Sequence, residues 1–89
     1  RVPQIGWNDV KFRRDSVLSK GLPEKPDFYF VHSYHMQCDN PLHILATCDY
    51  GGVVTAAVGR DNIVATQFHP EKSQDYGLQV IENFLAWHP

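Results

Sequence analysis

The chain has 89 residues, 43% of them hydrophobic and 20% charged, with a formal net charge of −2. That is the composition of one small globular domain, or of a piece of a larger one, and it excludes a disordered segment. The mild acidity offers no footing for nucleic acid or an anionic membrane, and no apolar run approaches the roughly 20 residues that span a bilayer.

The first residue is Arg1, and no apolar leader follows it, so the start reads as internal to a longer polypeptide. Cys38 and Cys48 are the two cysteines. Two are too few for a disulfide scaffold, and they read as free thiols of a reducing compartment.

Residues 1–25 are rich in breakers (Pro3, Gly6, Gly21, Pro23) and read as loop, with a short helical turn near residues 15–20. Asp27-Phe28-Tyr29-Phe30-Val31-His32 is aromatic and β-branched, hence a strand. Residues 33–41 are polar and turn-like. From Leu42 to Tyr50 the chain alternates, with Ile44, Ala46 and Cys48 on one face and Leu45, Thr47 and Asp49 on the other. Gly51-Gly52 turns it into a second strand over residues 53–58, so residues 43–58 form a hairpin. Residues 59–62 turn again, and a short strand covers residues 62–67. The period then changes. Leu78, Ile81, Phe84 and Leu85, widened by Val80, mark an amphipathic helix over residues 74–86, with Ser73 placed to cap it. One helix cannot cover both faces of such a sheet, so a partner segment is expected.

The segment Gln67-Phe68-His69-Pro70-Glu71-Lys72-Ser73 carries the most chemistry. His69 and Glu71 are two residues apart, which in an extended segment puts them on one side. Pro70 cannot donate to a sheet, so the strand ends about there. A carboxylate that orients an imidazole makes half of a nucleophilic triad. A surface histidine beside an acid at a helix start would have the same spacing. No G-x-S-x-G or G-x-C-x-G elbow is present to supply a nucleophile.

Two other clusters admit more than one reading. His32, His35 and Cys38, with His43 nearby, fit no common zinc spacing, and no metal is expected there. Ser33 and Tyr34, just past a strand, stand where α/β folds line ligand pockets. Trp7, between Gly6 and Asn8, is either a local packing plug or an interface residue.

These residues resemble a known family. The run from Thr66 to Ser73 and the helix ending Glu82-Asn83-Phe84 are similar to the C-terminal signature of triad (class I) glutamine amidotransferases. The runs Val2-Pro3-Gln4-Ile5-Gly6-Trp7-Asn8, Tyr29-Phe30-Val31-His32-Ser33-Tyr34 and Cys48-Asp49-Tyr50-Gly51 resemble, in that order, the glutaminase subunits of imidazole glycerol phosphate synthases. Gln4 departs from many of those relatives. The resemblance covers the whole chain but only about the C-terminal half of the family's domain. It implies an α/β, flavodoxin-like domain, of which residues 1–89 would be the C-terminal part: short strands and a hairpin, then a helix. In such enzymes an elbow cysteine attacks the glutamine side-chain amide, and ammonia passes to a cyclase subunit, a (β/α)8 barrel, in histidine biosynthesis.

By that resemblance His69 would serve as base and acid, and Glu71 would orient it. Ser33 and Tyr34 would line the glutamine pocket. Trp7, Tyr29 and Lys72 would lie near the cyclase. Neither a metal nor an organic cofactor is implied. The cysteine elbow and the oxyanion hole belong to the missing N-terminal half, so these 89 residues alone are expected to be inactive. A cytoplasmic location is expected, or a plastid if the source is a plant. Another triad amidotransferase, such as those serving anthranilate or guanylate synthesis, or a non-catalytic docking module, remain the alternatives.

Overall fold

The computed structural model describes residues 4–32 and 38–87. Five strands, β1 (Gln4–Phe12), β2 (Asp27–His32), β3 (Ile44–Asp49), β4 (Val53–Arg60) and β5 (Ile63–Thr66), precede one helix, α1 (Gln74–Leu85). The strands stand side by side in the order β2-β1-β3-β4-β5. Every neighbouring pair is antiparallel. β1 pairs with β2 through residues 4–9 and with β3 through residues 10–12, so it passes the sheet from one partner to the other. Short strands, the hairpin and the C-terminal helix are therefore as expected. Among the described residues, no helix is long and apolar enough to cross a membrane.

The core is one cluster. Val10, Phe28, Phe30, Leu45, Ala46, Ala56, Ala57 and Phe68 come from the sheet and the turn that follows it, Leu18 from a 3₁₀ turn (Val17–Ser19), and Val80 from α1. That turn is the short helical turn expected near residues 15–20. Ser16 and Ser19 close its N-terminal end with a reciprocal capping box.

Four expectations need correction. Residues 4–12 are a strand and not a loop. Their burial does alternate, but with polarity reversed: Gln4 and Asn8 point inward with Val10 and Phe12, while Ile5 and Trp7 point out. The pairing with β2 forms in spite of this because the backbone bonds are indifferent to which side chains face the core. In β3, the consecutive residues Leu45 and Ala46 are both buried, so burial does not simply alternate along the strand. A register shift between Ile44 and Thr47 breaks the simple alternation there. β4 continues through Gly59 to Arg60, so the turn is only Asp61-Asn62, with Asp61 at φ 55°. Finally, α1 lies where expected but buries a different stripe. Gly77, Val80 and Asn83 face inward, while Leu78, Phe84 and Leu85 are exposed, Leu85 at 74%.

Asn83 explains that choice. Its Nδ2 donates to the carbonyls of Leu18 (3.0 Å) and Lys20 (2.7 Å), and its Oδ1 accepts from Gln79 (3.0 Å). A buried amide with its bonding capacity used on both ends fixes the rotation of α1 more firmly than an apolar contact does.

Candidate active site

Residues 66–77 form a chain of short-range anchors. Thr66 Oγ1 donates to the Phe68 carbonyl at 3.0 Å. The Phe68 ring stacks on Phe28 with centroids 4.1 Å apart and meets Phe30 edge-on at 5.8 Å. Phe68 is buried, so its neighbour His69 leaves the core at a defined point. The His69 amide donates to the Tyr29 carbonyl at 2.8 Å, which ties the segment to the outer edge of β2. Pro70–Lys72 is a 3₁₀ turn, and α1 follows it directly.

Within this turn His69 Nδ1 lies 3.0 Å from Glu71 Oε2. The two side chains do share a side, though not by strand periodicity. The strand ends at Thr66, His69 has extended dihedrals, and the tight turn at Pro70 brings Glu71 back over it. An ionised carboxylate can only accept, so Nδ1 carries the proton, and Nε2 of the neutral ring is left with its lone pair. Among the described residues nothing bonds Nε2. The hydrogen bond from His69 is the main reason that the Glu71 carboxyl is held below the usual carboxylate range, with help from a backbone N–H and from Lys72. An oriented imidazole with an open Nε2, partly exposed, is built to exchange a proton with a group brought to it.

Ser73 does not cap α1 with its side chain, contrary to expectation. Its hydroxyl accepts from the Tyr29 amide at 2.9 Å and donates to the His69 carbonyl at 2.6 Å. Four residues on, Gly77 lies against the turn. A Cβ there would run into the Pro70 carbonyl, so only glycine allows α1 to start this close. Neither role has a sequence signal that separates it from an ordinary cap or an ordinary helix glycine.

Trp7 and Tyr29 are directly opposite in the β1–β2 register, their rings 5.9 Å apart and edge-to-face. Ile5 and Val31 pair beside them on the same outward face and are exposed, as is Trp7. Lys72 is exposed on the turn that carries Glu71. Ser33, Tyr34 and His35 lie outside the described residues.

The remaining candidates separate. Gln4 is fully buried. Its Oε1 is 2.7 Å from His32 Nε2, and its Nε2 donates to Cys48 Sγ at 3.6 Å. Burial pushes the Cys48 thiol up, with the Gln4 amide partly opposing. A neutral thiol in mid-strand is a poor nucleophile. Cys38 Sγ donates to the Asn40 carbonyl at 3.1 Å. Among the described residues, neither thiol bonds His69, and no three His, Cys, Asp or Glu side chains are grouped to hold a metal ion.

The sequence pattern of the family described as "Glutamine amidotransferase class-I" matches residues 1–87. The chain belongs to this family. It is 58% identical over its whole length to the protein called "Imidazole glycerol phosphate synthase subunit HisH" of Mesorhizobium japonicum, covering 43% of that protein. It is 49% identical to the protein of the same name in Azospirillum brasilense (98% of this chain, 45% of that one) and 53% identical to that of Leptospira interrogans (96% and 42%). The chain thus spans less than half the length of these curated relatives. The described part holds the His69–Glu71 pair and no cysteine on a strand-to-helix elbow.

Proposed function

We propose that this chain is the His/Glu-bearing part of the glutaminase of an imidazole glycerol phosphate synthase. The parent protein hydrolyses glutamine to glutamate and ammonia, and the ammonia goes to a cyclase subunit with a (β/α)8 barrel, within histidine biosynthesis. The observation that carries the reading is the 3.0 Å contact between His69 Nδ1 and Glu71 Oε2, which leaves Nε2 open. The names of relatives 49–58% identical to the chain point the same way.

In this reading His69 Nε2 takes the proton of a cysteine thiol, and the thiolate attacks the glutamine amide carbon. Backbone amides stabilise the oxyanion that forms. His69 then gives the proton to the leaving nitrogen, so ammonia departs and a thioester remains. Water, deprotonated by the same imidazole, adds to the thioester; the C–S bond breaks, glutamate leaves, and the imidazolium returns its proton to the cysteine sulfur. Glu71 keeps Nδ1 protonated and oriented throughout, in the neutral ring and in the imidazolium.

The cysteine and the oxyanion donors come from the rest of the domain. More than half of the relatives' length lies outside this chain. The exposed apolar side chains of α1, Leu78, Phe84 and Leu85, are the surface that this remainder would cover. Ser33 and Tyr34 bind glutamine. Trp7, Tyr29 and Lys72 face the cyclase, and the exposed pair Ile5 and Val31 extends that apolar patch. A cytoplasmic location accompanies this role.

The test is glutamine hydrolysis by the full-length protein mixed with the cyclase. His69→Ala should lower turnover by about three orders of magnitude or more. Near-normal turnover in that variant would refute the assignment. The isolated 89-residue chain should show no hydrolysis, and measurable activity from it would mean that a nucleophile exists within these residues.

A further inference from the structure

Glu71 fixes the His69 ring only relative to its own turn, because both residues sit on residues 69–72. Triad chemistry also demands that Nε2 stand within about 3 Å of a nucleophile held by a different part of the protein. Something must therefore fix the turn itself against the sheet.

We propose that Ser73 is the positioning residue that does this, a latch between the His69 turn and β2. The inference rests on the proposed glutaminase reaction. A hydroxyl has one proton to give and two lone pairs. Ser73 gives its proton to the His69 carbonyl (2.6 Å) and takes the Tyr29 amide (2.9 Å), while the Tyr29 carbonyl takes the His69 amide (2.8 Å). These three bonds close a ring through the backbone of a single β2 residue, so His69 cannot shift along or away from the strand without breaking one of them. Ser73 is 1% exposed, and water is therefore not at hand to replace a lost bond.

The local cost shows that the latch is not an incidental cap. A serine just before a helix ordinarily spends its oxygen on a helix amide. Ser73 makes no such bond, and Gln74, the first residue of α1, is held at φ 55°, a region that side-chain-bearing residues seldom adopt. The chain gives up a favourable helix start to bring the hydroxyl to Tyr29 and His69. Backbone in such rare regions persists where the surrounding structure over-determines it, and such places gather at functional sites.

The test is steady-state glutaminase kinetics of the full-length protein with its synthase partner, for Ser73→Ala, Asn83→Ala and His69→Ala. Asn83 is also a buried latch, but it joins α1 to the Val17–Ser19 turn and has no bond to the His69 segment. Ser73→Ala should lower kcat about 10- to 100-fold with KM for glutamine changed less than about twofold, because misplacing a catalytic group by an ångström costs that much. Asn83→Ala should lower the melting temperature comparably and keep kcat. Equal kcat losses in the two variants would reduce Ser73 to a general stabiliser and overturn the proposal. Wild-type kcat in Ser73→Ala beside an inactive His69→Ala would overturn the latch and leave the reaction standing. An active His69→Ala would remove the reaction and the latch together. Should Ser73→Ala fail to fold, Ser73→Cys keeps the volume with a weaker donor: a lowered kcat at constant KM supports the latch, and an unchanged kcat overturns it.

Discussion

Residues 66–77 and the first half of β1 both meet β2 at Tyr29, but different forces hold them there. The C-terminal segment is fixed from inside, by the Phe68 ring in the core, by the paired bonds of His69 and Ser73, and by the close approach of Gly77 to the turn. The β1 segment is fixed by its backbone ladder and by the buried Gln4 amide, and its largest apolar side chains, Ile5 and Trp7, point away from the core. One segment spends its apolar side chains on its own fold. The other leaves them exposed, as the proposed docking role requires. A catalytic residue belongs on the first kind of segment, where a small displacement is resisted, and a docking residue on the second, where truncation spares the fold.

Substitutions that act on one side only sharpen this contrast. Phe68→Ala removes an aromatic ring packed on two others, and about 3–5 kcal/mol of stability should go with it. Denaturant midpoints of the full-length protein measure this. A loss below about 1 kcal/mol, the ordinary surface range, would mean that Phe68 is not the anchor of the His69 turn.

Gly77→Ala gives a test by sign. Helix propensity alone would make the change stabilising by about 1 kcal/mol. The Pro70 carbonyl occupies the space that the methyl group needs, so a net loss of about 1–3 kcal/mol is expected, with reduced glutaminase activity as the turn is pushed out. A stabilised, active variant would show that the turn is not seated against α1 as described.

Trp7→Ala stands on the other side of the comparison. Trp7 is 44% exposed and leans on Tyr29 by one edge contact, so unfolding stability should change by less than about 1 kcal/mol. If Trp7 faces the cyclase as proposed, affinity for the cyclase should fall by about 2 kcal/mol or more, as truncation of an aromatic hot spot does. Calorimetric titration against the cyclase separates the two effects. A variant that unfolds easily but binds normally would make Trp7 a packing residue.

The same contrast governs what could be read in the sequence. The β3–β4 hairpin, β2 and α1 were legible because apolar periodicity and the Gly51-Gly52 turn follow local rules. β1 was not, because Gln4 and Asn8 occupy inward positions and Ile5 and Trp7 outward ones, so the alternation exists with its polarity inverted. The buried stripe of α1 escapes the apolar periodicity for a related reason. Leu78, Phe84 and Leu85 are the more apolar face, but Gly77 meets the Pro70–Lys72 turn by close approach and Asn83 meets the Val17–Ser19 turn by hydrogen bonds, which hydropathy does not register. His69 and Glu71 were found by residue type and spacing, although a turn rather than a strand joins them. Ser73 reads in the sequence only as a cap, since its partner Tyr29 becomes a neighbour only after folding.

The smallest expected effect concerns the His69–Glu71 bond and pH. Glu71 is held below the usual carboxylate range first by the His69 hydrogen bond. A carboxyl whose folded pKa is depressed adds stability that is present above its unfolded value, about 4.3 for glutamate. That contribution fades as pH falls through the lower, folded value. The bond should therefore persist through the neutral range and break only on the acid side of about 4.3. Both side chains are open to solvent, so global stability should barely respond. The informative readout is local: a carbon-detected titration of the Glu71 carboxyl, followed with the His69 Nδ1 resonance. A Glu71 midpoint below the ordinary glutamate value, absent in His69→Ala, is expected. A midpoint at the ordinary value in both proteins would mean that the carboxylate does not hold the ring, and the imidazole would then have no fixed tautomer with which to act as a base.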